Sequence, residues 1–439
     1  VHQRHLLVER FEIQIRTYQG CRRGKQPVKP RLRRDPELSD AETKLQSVFN
    51  DRDMKRHTLY IIGILIGCAF SSCRKIEIVV PSEYELVSDG IHPEANPQGM
   101  YLVNEGNMGS NKATLDYFNY ASGGYHKNIF AERNPGVVKE LGDVGNDIQI
   151  YGNKLYAVIN CSHLIEVMDV NTAKEITKIT VTNCRYIVFH EGFAYVSSYA
   201  GPVQIDPNAR LGEVVKIDTA TLKVVGSCTV GYQPEEMVIV GNKLYVANSG
   251  GYRVPNYDNT VSVIDLETFK ETKKITVAIN LHRMRVDQNG LIYVTSRGDY
   301  YNVHSNTYVI NAKNDLVEGA LNFPASELYL CGDSLYSYST EYSKITSKWT
   351  VNYTIYDTKA KRIVSRNFIK DGTEKSIVTP YALAVNPETG EIFVGDAGDY
   401  VTPGRLYCFG SDGKKKWDVQ TGDIPAHIVF TTRPLQELK

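Results

Sequence analysis

One short pattern returns seven times down the chain. It reads MYLVN from Met100, LYAVI from Leu155, AYVSS from Ala194, LYVAN from Leu244, IYVTS from Ile292, LYSYS from Leu335 and IFVGD from Ile392, each with an aromatic ring second. A partner string follows each copy: LDYFN, EVMD, VVKID, VSVID, TYVIN, YTIYD and LYCFG. These strings end at Asn119, Asp169, Asp218, Asp265, Asn311, Asp357 and Gly410, with spacings of 50, 49, 47, 46, 46 and 53 residues. Short β-branched and aromatic runs closed by Asp, Asn or Gly are strands entering tight turns. A period near 48 residues with several strands per unit is the signature of propeller blades, because each unit can bury its face only against the next. Helical repeats would instead space apolar residues by three and four, and these segments do not. The expected fold is therefore all-β, a seven-bladed propeller.

Each unit divides into four strands; in the second they read NDIQIYG, KLYAVIN, LIEVMDV and EITKITV. Gly152-Asn153 and Gly241-Asn242 supply the first hairpin turns. After the seventh unit comes DIPAHIVF, a single strand without partners. It is expected to lie beside MYLVNEG and close the ring, which removes an open sheet edge. The propeller is assigned to residues 98–434.

In such blades the loops entering each blade and the loops between its second and third strands share one face. The turns on the other face are short and of D-x-x-T type, as a structural face would have. The second-to-third loops are longer and unlike one another, which suits binding loops on a rigid scaffold. Three of them share a polar residue, any residue, Gly, Gly or Asp, then Tyr: NSGGYR from Asn248, SRGDYY from Ser296 and DAGDYV from Asp396. They nominate Tyr252, Tyr300 and Tyr400 as ligand contacts, with Arg297, Asp299 and Asp399 from the same loops. The competing reading makes each Tyr a brace against the neighbouring blade. The entering loops add Asn146, Asp147, Arg185, Glu235, Glu236, His282, Arg283, Glu327, Tyr381 and His427 at the mouth of the central channel, and Asn104 and Tyr199 complete the candidate set. Their mixed signs argue against a purely anionic or cationic ligand. Aromatic plates with scattered donors and acceptors suit a large, flat molecule bearing amides or hydroxyls; a merely solvated rim is the alternative. The chain holds no H-E-x-x-H, G-x-S-x-G or P-loop motif. DPNAR at Asp206 and NYDNT at Asn256 are oxygen-rich enough for Ca²⁺, but neither matches an EF-hand loop, and plain turns are expected. No metal or cofactor is assigned.

Ahead of the repeats, residues 57–75 read HTLYIIGILIGCAFSSCRK. The apolar run Leu59–Phe70 is 12 residues, about 18 Å as a helix against roughly 30 Å of bilayer hydrocarbon. With Lys55, Arg56 and His57 before it, it has the form of a signal-peptide core. Phe70-Ser71-Ser72-Cys73 resembles a bacterial lipobox, which makes Cys73 the expected lipidation site and mature N-terminus. Met54 immediately precedes Lys55, so 54–72 is read as the signal peptide and 73–97 as the lipidated tether. Residues 1–53 are read as an over-extended start, with a disordered basic arm as the alternative. Residues 1–73 hold 14 Lys and Arg against 8 Asp and Glu; the rest holds 36 against 42, a net charge of about −6. Such a chain has no bulk attraction for nucleic acid. Five cysteines follow Cys73, at 161, 184, 228, 331 and 408; the odd count and the lack of C-x-x-C fit neither a zinc site nor a disulfide framework. In strand-like runs they read as small buried apolar residues.

The lipobox, NEGN at Asn104, GYQPEEMVI, GGYRVPNYD and LAVNPETGEIFVGDAGDY together resemble the YncE-like, surface-layer-type propeller lipoproteins of Bacteroidetes, over the whole of 98–434. The resemblance includes the BtuG branch, and it implies capture of a corrinoid, cobalamin or cobinamide, for a TonB-dependent outer-membrane transporter. It implies an outer-membrane lipoprotein. Arg74 and Lys75 stand where surface-exported members carry acidic residues, so orientation stays open between the cell surface and the periplasm. A glycan fragment is the second candidate ligand. A lactonase- or quinoprotein-like enzyme and a purely structural envelope protein are the other classes.

Overall fold

The computed structural model describes residues 79–90, 96–137, 140–343 and 348–436. Residues 1–53, the signal segment 54–72 and Cys73 lie outside the described residues. No helix among the described residues is long and apolar enough to cross a membrane.

The strands form seven antiparallel sheets. Six are consecutive four-stranded meanders, beginning at Gly145, Cys184, Pro234, Leu281, Glu327 and Pro380. The first sheet is built from both ends of the ring. The closing strand Pro425–Thr431 pairs with Gly99–Asn104, in register from Gly99↔Thr431 to Val103↔His427, and Thr114–Asn119 and Gly124–Lys127 follow. DIPAHIVF thus lies where the repeat pattern expects it.

A fifth strand, Glu83–Leu86, covers the outer edge of this first blade by pairing with Gly124–Lys127. It falls in the stretch read from sequence as tether. Its sequence EYEL alternates charged and apolar residues, but over only four residues, and all four, Tyr84 and Leu86 included, are exposed. What it supplies is backbone pairing at an otherwise open edge.

The apolar interior is split into seams between neighbouring blades rather than gathered in one core. Tyr101, Val103, Leu155 and Ala157 pack between the first and second blades, Tyr245, Val263, Met284 and Ile292 between the fourth and fifth, and Phe393, Leu406, Met100 and Leu102 between the seventh and first. The repeated aromatic of each second strand stands in these seams. Tyr101, Tyr156, Tyr195, Tyr245, Tyr293 and Phe393 are buried, and Tyr336 is half-buried. Tyr suits the position because its ring fills the seam, and at Tyr101 and Tyr245 the hydroxyl also reaches the next blade. Tyr101 donates to the Val170 carbonyl at 2.7 Å and Tyr245 to Asp315 at 2.6 Å. Much of the Tyr content is therefore structural.

The D-x-x-T turns are built as their composition requires. Asp218 Oδ1 accepts from the backbone N–H groups of Ala220 and Thr221 and from the Thr221 hydroxyl; Asp169 and Asp265 repeat the pattern. The residue after each of the three D-x-x-T units is left-handed, Ala173, Leu222 and Phe269 having φ of 53°, 57° and 51°, and so are Asp315 and Lys361 at the equivalent places after NAKN and DTKA, at 56° and 51°. The register, Asp218↔Lys223 and Asp265↔Lys270, makes each of these two a four-residue hairpin connection that ends on the left-handed residue.

Candidate functional site

The innermost strand of each blade starts at the channel mouth, and six of the seven share an irregularity there. In the fourth blade Pro234 pairs with Asn248 and Met237 with Val246, so two residues, Glu235 and Glu236, stand opposite one. Arg185 and Tyr186, His282 and Arg283, and Tyr381 and Ala382 occupy the same place in three other blades. Single-residue slips at Asn146 and Ala426 do so in two more. A bulge breaks the strict in-out alternation of a strand and re-aims its side chains. Successive residues can then both enter the channel. Most of the residues assigned from sequence to the entering loops thus sit in bulged strand starts, while Glu327 begins a regularly paired strand.

They form one buried network. Arg185 pairs with Glu235 at 3.0 Å, and the second oxygen of Glu235 accepts from Tyr199 at 2.7 Å and faces Arg297 at 3.5 Å. Arg283 spans Glu236 at 2.9 Å and Glu327 at 2.7 Å. Arg285 joins the same two carboxylates, reaching Glu327 at 3.2 Å. Tyr186 lies between, its hydroxyl 2.8 Å from Arg283 Nη1 and 3.1 Å from His282 Nε2. His427 lies 3.5 Å from Arg283 and 4.0 Å from Asp147. Four guanidiniums thus meet three carboxylates, with Asp147 held alongside by the backbone N–H groups of Ile148 and Ile187, in a largely buried space where a charge is tolerated only with a partner.

Burial divides these groups electrostatically. It pushes Glu327 up to about 7 despite Arg283, and Asp147 up to about 6. Burial also acts to raise Glu235, but Arg185 and Arg297 prevail and hold that carboxyl below its usual range. His282 and His427 are held well below the usual imidazole range by burial and then by the surrounding arginines, so both are neutral at pH 7. Glu105, whose carboxylate accepts from Tyr381 at 2.6 Å, is raised by burial.

Above this floor stand the three related loops. Gly250, Gly298 and Gly398 have φ of 54°, 64° and 53°, the left-handed turn the pattern implies. Tyr300 and Tyr400, two residues further on, are left-handed as well, at 63° and 66°. Tyr300 is exposed; Tyr400 is half-buried, its ring 6.0 Å from that of Tyr381. Tyr252 is half-buried beside Tyr199, ring centres 6.2 Å apart.

The structure therefore brings Arg185, Tyr199, Glu235, His282, Arg297, Tyr381 and His427 to the channel mouth, with Tyr252, Tyr300 and Tyr400 in the loops of the same face. Asp299 and Asp399 are turned into their own loops. Asp299 Oδ1 accepts from the N–H groups of Tyr301, Asn302 and Val303, and Asp399 Oδ1 from those of Val401 and Thr402. Asn104 is fully buried against Thr114 within the first blade. Asp206 and Asp258 likewise cap their own turns. Among the described residues no three His, Cys, Asp or Glu are grouped to hold a metal ion. Sequence reasoning missed Tyr186, Arg285 and Glu105. Tyr186 follows a nominated residue, and only the bulge shows that both point inward.

Fold and site together define a seven-bladed propeller whose channel mouth is filled by a self-neutralising ionic network. The chain belongs to the family described as "Domain of unknown function (DUF5074)", whose sequence model matches residues 98–431. No curated protein matches it. Among solved structures it is similar to a quinoprotein alcohol dehydrogenase-like protein from Bacteroides thetaiotaomicron, with 17% identity and a TM-score of 0.53 over 76% of this chain and 78% of that one. It is also similar to hydrazine synthase of Kuenenia stuttgartiensis, with 16% identity and a TM-score of 0.49 over 61% of this chain and 77% of that one. Identities this low speak to the fold alone.

Proposed function

We propose that this protein is an envelope lipoprotein that captures a large, flat molecule bearing amides or hydroxyls at the channel mouth and passes it to a TonB-dependent outer-membrane transporter. A corrinoid is the first ligand to test. The observation that carries the binding reading is the pair Tyr300 and Tyr400. Left-handed backbone costs a non-glycine residue about 1–2 kcal/mol. Two equivalent loops keep Tyr there, two residues after a glycine that already makes a turn. Local strain held at a surface loop is a pointer to function. The buried ionic network beneath gives the loops a floor whose charged groups are fixed by mutual ion pairs. The corrinoid, the lipid anchor at Cys73 and the transporter rest on the sequence resemblance.

Calorimetric titration with cyanocobalamin and with cobinamide tests the reading. The double variant Tyr300→Ala/Tyr400→Ala is expected to weaken binding at least thirtyfold, about 2 kcal/mol for one lost aromatic anchor, with little change in melting temperature. A large drop in melting temperature with binding retained would make the rings braces. No binding by the wild type would end the corrinoid assignment, and glycans would be screened next. Cys73→Ala should release the protein from the membrane fraction; a variant that still sediments with membranes refutes the anchor.

A further inference from the structure

The face opposite the channel mouth carries a concavity of about 290 Å³ between the third and fourth blades, lined by His190, Glu191, Phe193, Tyr195, Lys216, Asn242, Leu266 and Glu267. Lys216 is out of pattern there. It stands two residues before Asp218, a position that the other six blades fill with Tyr117, Val167, Val263, Val309, Ile355 and Cys408. Tyr117, Val167, Val263, Val309 and Cys408 are buried, and Ile355 is half-buried. A cation at this strand position in one blade of seven breaks the apolar rule that the other six follow. Such local exceptions in an otherwise consistent sequence concentrate at functional sites.

The neighbouring seams show what a closed junction looks like. Between the fourth and fifth blades, Lys243 pairs with Asp315 at 2.8 Å and Tyr245 donates to the same carboxylate. Between the second and third, Tyr151 stacks on Phe189 with ring centres 4.8 Å apart. In the Lys216 seam the residue equivalent to Asp315 is Phe269, and the residue equivalent to Lys243 is Phe193. The Lys216 ammonium therefore meets ring faces: Phe193 at 4.0 Å, Phe269 at 5.5 Å and Tyr195 at 5.7 Å. Among the described residues it has no carboxylate partner. Ring faces attract a cation but leave its N–H donors without acceptors.

We propose that this seam is a second small-molecule site, which takes a free amino acid with an apolar or aromatic side chain. The carboxylate lies on Lys216 Nζ. The side chain lies against Phe193, the half-buried ring of the wall. The exposed carboxylates of Glu191 and Glu267 at the rim favour a ligand that also bears an ammonium over a simple anion. The volume lies just below the roughly 300–1,000 Å³ of drug-sized sites, so it suits a monomer rather than a chain. The proposal is independent of the channel-mouth reading.

Ligand-observed saturation-transfer NMR on the full-length protein tests it, with leucine and phenylalanine as probes at millimolar concentration and leucinamide as the analogue lacking a carboxylate. At least one amino acid should give a signal, leucinamide none, and Lys216→Met should abolish it. Methionine restores the apolar character of the other six seams, so the variant should fold with an unchanged or higher melting temperature; Lys216→Gln keeps polarity without charge and should also lose the signal. Absence of signal from both amino acids, or an equal signal from Lys216→Met, overturns the proposal. A lower melting temperature in Lys216→Met with no ligand signal in the wild type overturns it too, and leaves Lys216 as a brace between blades.

Discussion

Replacing Glu327 with Gln should become less harmful as pH rises, the reverse of what its double ion pair suggests. Glu327 is almost fully buried, 2.7 Å from Arg283 and 3.2 Å from Arg285, and both arginines also hold Glu236. Burial outweighs this sharing and raises the carboxyl from 4.5 to about 7. Between these values the unfolded chain has released the proton and the folded chain still holds it. Folding then takes up a proton, so the contribution of Glu327 to stability is greatest below pH 4.5 and falls as pH rises to about 7. The loss is about 1.4 kcal/mol per pH unit, about 3 kcal/mol across the window. Gln carries no such proton. Asp147, raised to about 6, and the two depressed histidines titrate in both proteins and cancel in the comparison to first order. Urea unfolding of wild type and Glu327→Gln at pH 5, 6, 7 and 8 measures the difference. The deficit of the variant should shrink by about 2–3 kcal/mol from the lowest to the highest pH. A deficit that stays constant or widens would show Glu327 ionised throughout and refute the argument.

Three further outcomes follow from the backbone. Lys361→Gly should raise stability by roughly 0.5–1 kcal/mol in thermal unfolding, since relief of the left-handed strain exceeds the entropy Gly adds to the unfolded chain; the exposed Lys361–Glu318 pair at 3.8 Å offers little to lose. Gly298→Ala should cost at least about 2 kcal/mol, because the new methyl would lie 1.9 Å from the Val303 carbonyl oxygen at φ +64°. Gly152→Ala, at φ +62° with nothing within 4 Å, should cost only about 1 kcal/mol, and equal losses would refute the steric account. Truncation before Asp423 removes the strand that closes the first blade; cooperative melting at the wild-type temperature would contradict ring closure, given a typical total stability of about 5–15 kcal/mol.

The sequence by itself determined the parts whose information is local. Seven copies of an aromatic-bearing strand, the D-x-x-T turns and the lone DIPAHIVF each carry their meaning within a few residues, because strand alternation and turn chemistry act at that range. The glycine turns at Gly250, Gly298 and Gly398 were legible for the same reason. Tertiary structure decided what those residues face. Arg185 and Glu235 are 50 positions apart and Arg283 and His427 are 144 apart; only the curvature of the ring places them together. The bulges that turn Tyr186 and Glu236 inward depend on the pairing strand, and the fate of Asp299 and Asp399 depends on how their own loops close. Lys216 stands out in the aligned repeats, yet only the packed seam shows rings around it, because Phe269 comes from the next blade. Turns are fixed by neighbours in the chain; charges and seams are fixed by neighbours in space, which a period near 48 residues brings together without naming them.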